Sequence, residues 1–498
     1  MDVMSIPLER AVGRATKLPA IILTSVVATF LTFLAAPLPP AYAAGYSPMY
    51  GSAAAWSETS WRTRTRNASR CFRRSRRWTT LGSPRCAGLG AAPARRWRLY
   101  LLLTVQSPQK SALSMATWLR RRRARRPSGR PVLQQFSLQL YRALSRERLN
   151  VFISPFGTAV ALVTALAGSR GDTAEQILAA LGASHEEEVL QELSTVGRIL
   201  EPLSTLHVGL ANKMYLSTSL ELADSFKEAI HQEFGGQVGI VNFQGDPALA
   251  VKEINAWLFR VTGHKMSSVV SVGDVSLSTR VLMVSTAFLR CLWLDKFSEL
   301  YTAPMPFFAD EGKISVPTMC SRRVCNYCHV ERLACRVLEL PCMMEHLQLL
   351  ILLPDLQSDL AYIEANITPR DVHDFERRYT RNPLDITLPK FMLDEQVNMA
   401  RYLTAVGVRD LFNKEEADLT GISDEKELCV HEFLSRSRFE VTDEDPVRLD
   451  LGGSNTLKLA ERTDLASFEV NRPFMFLVVE RQRKAILYIG CLRNPNVT

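Results

Sequence analysis

Residues 45–130 set the first limit on how this 498-residue chain folds. They hold 19 Arg, one Lys and a single acid, Glu58, together with five of the seven Trp. No period of 2 or 3.6 runs through them. So dense a charge of one sign, with no apolar face, buries too little surface to offset chain entropy, so this extension is expected to be disordered. A core must therefore come from residues 131–498. The net charge divides in the same way: +9 for the whole chain, +19 for residues 45–130 and −11 for residues 131–498. The basic average says nothing about the folded part, and a nucleic-acid reading of it rests on the tail.

Residues 1–44 also lie outside the core. Arg10, Arg14 and Lys17 precede an uncharged apolar run over 18–36, and Ala41-Tyr42-Ala43-Ala44 follows. That order reads as a secretory signal peptide, with secretion to the extracellular space. The run is long for a signal core, so a single signal anchor is the alternative. Over residues 60–130, basic residues interleaved with aromatics suit heparin or another polyanion. A solvated tail and translated non-coding sequence are the other readings. The Arg-rich run at 120–126 also matches a dibasic processing site.

From about Pro131 the pattern becomes mixed. Apolar spacing predicts helices over 132–141, 156–182, 222–234, 247–262 and 396–406. The helical run 156–182 breaks at Gly168-Ser169-Arg170-Gly171, and Asp172 is expected to cap the restart, with Glu175 three residues on. Strands are expected at 150–155, 280–288, 347–353, 386–388, 474–480 and 485–490. With no regular βαβ alternation and no internal repeat, the fold class is α+β.

No G-x-S-x-G, P-loop, H-E-x-x-H or kinase signature is present, and no enzymatic activity is expected. The densest cluster of reactive side chains is Cys320, Cys325, Cys328 and His329, with Cys335 and Cys342 beyond. Cys325, Cys328 and His329 fit a c-type haem pattern and half of a zinc site. The surrounding sequence favours small apolar residues on successive strands, with a disulfide among Cys320, Cys325, Cys328 and Cys335 left open. No metal or cofactor is expected. Asn67 and Asn366 head glycosylation sequons, while Asn496 lies too near the end to be a good acceptor.

Several longer motifs carry a family resemblance. They are Asn150-Val151-Phe152-Ile153-Ser154-Pro155, Gly168 through Ile177, and Ile254-Asn255-Ala256-Trp257 with Thr262-Gly263-His264-Lys265-Met266. Val337-Leu338-Glu339-Leu340-Pro341, Leu350-Ile351-Leu352-Leu353-Pro354, Leu388-Pro389-Lys390-Phe391, Ala417 through Ile422, and Asn471-Arg472-Pro473-Phe474 complete the set. Over 131–498 the chain resembles a serpin. The resemblance implies three β-sheets, eight or nine helices, an exposed reactive-centre loop and a monomer. It also implies an activity, suicide-substrate inhibition of serine proteases. A protease cuts the loop, which then inserts as a new central strand and carries the acylated protease with it.

Insertion favours small, uncharged residues at the loop's N-terminal hinge, and here the chain departs from the family. After Val441-Thr442-Asp443 the hinge reads Glu444, Asp445, Pro446, Val447, Arg448, Leu449 and Asp450. Asp445 stands at the usual Gly and Pro446 at the usual Thr or Ser. On an inserted strand Pro446, Arg448, Asp450 and Gly452 share the core-facing side. Pro446 removes a ladder donor, and burying Arg448 and Asp450 costs several kcal/mol each without partners. The alternative to inhibition is therefore a carrier, chaperone, storage protein or protease decoy. Family spacing puts the scissile bond at Leu459-Ala460, suiting a chymotrypsin- or elastase-like protease. Arg462-Thr463 (or Lys458) would suit a trypsin-like one. The shutter beneath the main sheet is expected at Ser154, Gly157, Ser285 and Ser435, with Ser435 or Arg436 replacing a family His.

Overall fold

The computed structural model describes residues 131–497 except 201–207, 233–236, 343–345 and 444–465. In chain order the elements begin with α1 (Leu133–Ser145), β1 (Val151–Ile153), α2 (Pro155–Leu166), α3 (Gly171–Ala180), α4 (Glu186–Leu200) and β2 (Val208–Ser217), of which α4 and β2 were not expected from the sequence. Next come α5 (Asp224–Gln232), β3 (Val238–Val241), α6 (Pro247–Val261), β4 (Val281–Arg290), β5 (Ala303–Ala309) and β6 (Gly312–Val330). These lead to β7 (Cys335–Pro341), β8 (Leu347–Pro354), α7 (Leu360–Asn366), α8 (Pro369–Arg378), β9 (Thr380–Pro389) and β10 (Phe391–Asn398). The remainder is α9 (Met399–Ala405), β11 (Val430–Val441), β12 (Ala466–Glu469), β13 (Phe474–Glu480) and β14 (Ile486–Leu492). Nine α-helices are thus formed among the described residues.

One sheet has five strands in the order β10-β11-β4-β2-β3. A second has nine, in the order β1-β14-β13-β8-β7-β6-β9-β12 with β5 also on β6. The second and third expected sheets are joined on the 19-residue β6. Its start pairs with β5, its middle with β9 and its end with β7.

The apolar runs of β8, β13 and β14 are buried on both faces, which is why they lack alternation. Gly490 of β14 is required by close approach: a Cβ there would meet Val151 O at 2.2 Å and the Phe476 ring at 2.5 Å. All twelve residues of α2 are buried; it touches β2 and β4 of one sheet and β14 of the other. A helix so enclosed is apolar all round. The cap at Asp172 is corrected: α3 begins at Gly171 after Arg170, and Asp172 sits within its first turn. Its carboxylate there complements the helix dipole without capping it.

Both faces of β4 are covered. Val281, Met283, Ala287 and Leu289 join the main core, whereas Leu282, Val284 and Phe288 pack under Ile254 and Leu258 of α6. Period-2 alternation sorts these two sets, and α6 shields the outer one from water.

Candidate functional site

The hinge residues Glu444, Asp445, Pro446, Val447, Arg448, Leu449 and Asp450 lie outside the described residues, as do Leu459, Ala460, Arg462 and Thr463. Asn67 and the polyanion-binding segment 60–130 also fall outside them. The chain is described up to Asp443 on one side of the loop and from Ala466 on the other, so the site is built from those two anchors and the seam between β4 and β11.

The first anchor is the end of β11. Trp293 Nε1 donates to Thr442 O at 2.8 Å. Asp443 accepts from Lys390 Nζ at 2.6 Å and from Thr302 Oγ1 at 2.5 Å. Burial raises the Asp443 carboxyl, but those two partners more than offset it and hold it below the ordinary aspartate value. The second anchor is on the other sheet. There β12 runs parallel to β9, with Phe468 opposite Ile386, and Arg336 lies over the Phe468 ring at 5.2 Å.

β4 and β11 are direct parallel neighbours, in register from Glu432 opposite Leu282 to Glu440 opposite Arg290. A strand entering between them must break that ladder. The inner side of the seam pairs Ser435 with Ser285, Ser437 with Ala287 and Phe439 with Leu289. Below it Phe439 stacks on Phe152 at 4.8 Å and meets Phe391 edge-on at 5.6 Å and Phe476 at 5.0 Å.

The outer side is charged. Arg436 makes a two-pronged bond to Asp394 of β10, at 2.8 and 3.0 Å, and donates to Ser268 O at 2.5 Å. Arg438 pairs with Glu440 at 2.8 Å, and Arg290 reaches Glu440 across the seam at 3.8 Å. Gln396 Nε2 donates to Val269 O at 3.0 Å, and Lys265 Nζ sits 3.7 Å over the Phe288 ring. The connection from α6 to β4 is thereby pinned over β10, β11 and β4 together. No motif announces this network. Its trace in the sequence is the alternation Ser435-Arg436-Ser437-Arg438-Phe439-Glu440, which puts small or aromatic residues inward and charges outward.

The residues expected at the shutter fall into two pairs. Ser154 caps α2, accepting from Gly157 N at 3.0 Å and donating to Leu487 O at 2.8 Å. Ser285 and Ser435 are partners across the seam. Of Ser435 and Arg436, Ser435 stands on the inner side of the seam and Arg436 bonds Asp394 on the outer side. A side chain at Gly157 would be tight, since a Cβ there meets Ser154 Oγ at 3.2 Å. Asn366 ends α7, its Nδ2 donating to Tyr362 O at 2.9 Å.

The disulfide left open by the sequence is not formed. The eight cysteines described, including Cys320, Cys325, Cys328 and Cys335, are free thiols. Burial pushes Cys325 and Cys328 up to about 11 and Cys335 to about 12, so they stay protonated at neutral pH. His329 turns away to Asp355, 2.7 Å off. Among the described residues no group of three or more His, Cys, Asp or Glu could hold a metal ion.

A five-stranded sheet in which β4 and β11 are direct parallel neighbours, beside a nine-stranded sheet and nine helices among the described residues, fits the fold that the resemblance implies. Comparison with known proteins agrees. The family model "Serpin (serine protease inhibitor)" matches residues 131–495. The leukocyte elastase inhibitor of Equus caballus is 29% identical over 371 residues, covering 72% of this chain and 97% of that protein. Its Homo sapiens counterpart is 28% identical over 373 residues, covering 72% and 98%. A solved tumour-suppressing serpin superposes with a TM-score of 0.66 at 21% identity, covering 74% of this chain and 99% of its own. Serpin-12 of Manduca sexta gives 0.65 at 22%, covering 74% and 99%. The chain belongs to the serpin family.

Proposed function

We propose that this chain is a secreted serpin whose loop serine proteases cut as a substrate, so that it acts as a non-inhibitory carrier, chaperone, storage protein or decoy. The observation carrying this reading is the inner side of the seam. An inserted strand would meet Ser285, Ala287, Leu289, Ser435, Ser437 and Phe439 there. Ser437 Oγ and Asn212 Oδ1 are buried nearby without partners. These atoms offer hydrogen bonds but no counter-charge. Arg448 and Asp450 would enter an uncharged slot, and Pro446 would arrive without a donor for the ladder. Insertion slower than hydrolysis of the acyl-enzyme releases the protease and leaves a nicked chain.

Suicide inhibition is the second reading. It draws on the direct pairing of β4 with β11, which leaves the place of an inserted strand unfilled, and on likeness to proteins named leukocyte elastase inhibitor. Cutting at Leu459-Ala460 would point to a chymotrypsin- or elastase-like protease, and at Arg462-Thr463 to a trypsin-like one. The test is to nick the full chain with chymotrypsin and separately with trypsin, then compare melting temperatures and run a denaturing gel. A nick without thermal gain or adduct is expected. A large gain with a protease-sized adduct would establish inhibition instead.

A further inference from the structure

The outer face of the five-stranded sheet holds a second feature, away from the seam. Lys213 and Tyr215 of β2 pair with Val284 and Leu282 of β4, so both side chains point toward α6. Gly239 of β3 makes room for them: a Cβ there would meet Lys213 Cε at 2.7 Å and the Tyr215 ring at 3.1 Å. Trp257 of α6 closes the other side, edge-on to Tyr215 with ring centres 6.1 Å apart. Lys213 Nζ lies 5.3 Å from the Tyr215 ring centre and 5.7 Å from that of Trp257. Arg260, nearly a turn beyond Trp257 on the same helix face, brings a second cation. Its Nε bonds Ala256 O at 3.2 Å.

Two things are missing from this arrangement. Neither Lys213 nor Arg260 is in an ion pair among the described residues. The Tyr215 hydroxyl, on a residue only 3% exposed, is buried without a hydrogen-bond partner. That hydroxyl reaches the level of α6, where Arg260 and the exposed Glu253 both act on it. Burial pushes the Lys213 ammonium down to about 8, with Arg260 adding to the effect. Buried polar groups normally carry partners, and close cations normally carry counter-charge.

We propose that Lys213, Arg260 and the Tyr215 hydroxyl bind a small tetrahedral oxyanion, a phosphate or sulfate group, between β2 and α6. An ammonium, a guanidinium and a phenol hydroxyl are complementary donors for such a group. The anion supplies the acceptor that Tyr215 lacks and the charge that both cations lack. Once bound, it ties β2 to the helix covering the sheet and so favours the closed sheet.

The test labels the full chain with an amine-acylating ester and follows each lysine by peptide mass spectrometry. Sodium chloride is compared with inorganic phosphate at equal ionic strength. Phosphate is expected to slow labelling of Lys213 by a factor of 1 + [phosphate]/Kd, about elevenfold at ten times Kd, while exposed Lys252 is unchanged. Tyr215→Phe keeps both ring contacts and is expected to weaken protection about tenfold, the weight of one hydrogen bond to a charged group. Arg260→Gln, at an exposed helix position, should weaken it similarly and keeps the test valid if Tyr215→Phe does not fold. Phosphoserine separates the two sources. Protection equal to that by inorganic phosphate assigns a phosphate carried on a larger molecule, and protection by inorganic phosphate alone assigns the free ion. Equal labelling of Lys213 in chloride and phosphate overturns the proposal, as does protection that a folded Tyr215→Phe or Arg260→Gln leaves intact.

Discussion

Arg290 at the end of β4 and Glu440 near the end of β11 meet across the seam, 3.8 Å apart. They stand where two strands distant in sequence have to part if a third is to enter. Arg438 braces Glu440 from its own strand, and Arg436 ties β11 to β10 and to the connection that follows α6. The closed sheet is thus held by its backbone ladder within and by charge pairs without.

Loosening the outer network should loosen the seam. Arg436→Met keeps the side-chain stem and removes the bonds to Asp394 and Ser268. With partial exposure discounted, it is expected to cost about 1 kcal/mol in urea unfolding. Amide exchange in β4 and in residues 262–280 should quicken. Unchanged exchange there would mean that the network decorates the sheet without holding it.

Asp443 gives a pH signature. Its folded pKa is depressed, so its contribution is complete above the ordinary aspartate value of about 3.9. It is lost as pH falls through the lower folded value. The melting-temperature gap between the parent and Asp443→Asn should therefore be largest near neutrality and shrink below pH 4. A gap that stays constant down to pH 2 would remove the Lys390 and Thr302 bonds as its cause.

Repairing the hinge tests the proposed function directly. Asp445→Gly, Pro446→Thr, Arg448→Ala and Asp450→Ala together give an inserting strand small, uncharged residues. The nicked variant is expected to gain thermal stability that the nicked parent lacks, and a fraction should trap chymotrypsin as an adduct. If parent and variant behave alike, the hinge is not what limits insertion.

Beneath the seam, Phe439→Ala empties a fully buried site among Phe152, Phe391 and Phe476. The expected loss is about 3–5 kcal/mol. Gly490→Ala should also destabilise, by about 1–3 kcal/mol or more, because Val151 O stands in the way. Calorimetry on the two single variants checks both values.

Much of the fold was legible in local pattern. Phe474–Glu480 forms over the expected span, and α6 agrees to within a residue, because an unbroken apolar run or a 3.6-residue period survives in any tertiary setting. Asp172 misled because a side chain competent to cap says nothing about which backbone turn begins the helix, and Arg170 and Gly171 took that place. The cysteine cluster went the way the surrounding sequence favoured, with Cys320, Cys325, Cys328 and Cys335 as free thiols on β6 and β7. Spacing along β6 resembles ligand spacing, but alternation and burial scatter the thiols over a sheet.

The α+β class and the family were already legible in the residues alone, as was the reading of Asp445, Pro446, Arg448 and Asp450 as a departure from the family's hinge. These depend on composition, period and residue identity, all local properties. Packing in three dimensions is what sets Ser285 opposite Ser435, Arg290 against Glu440, and Lys213 beside the Tyr215 and Trp257 rings under α6. Those pairings join residues far apart along the chain. Their geometry comes from strand register and from helices laid across a sheet, which no stretch of sequence contains.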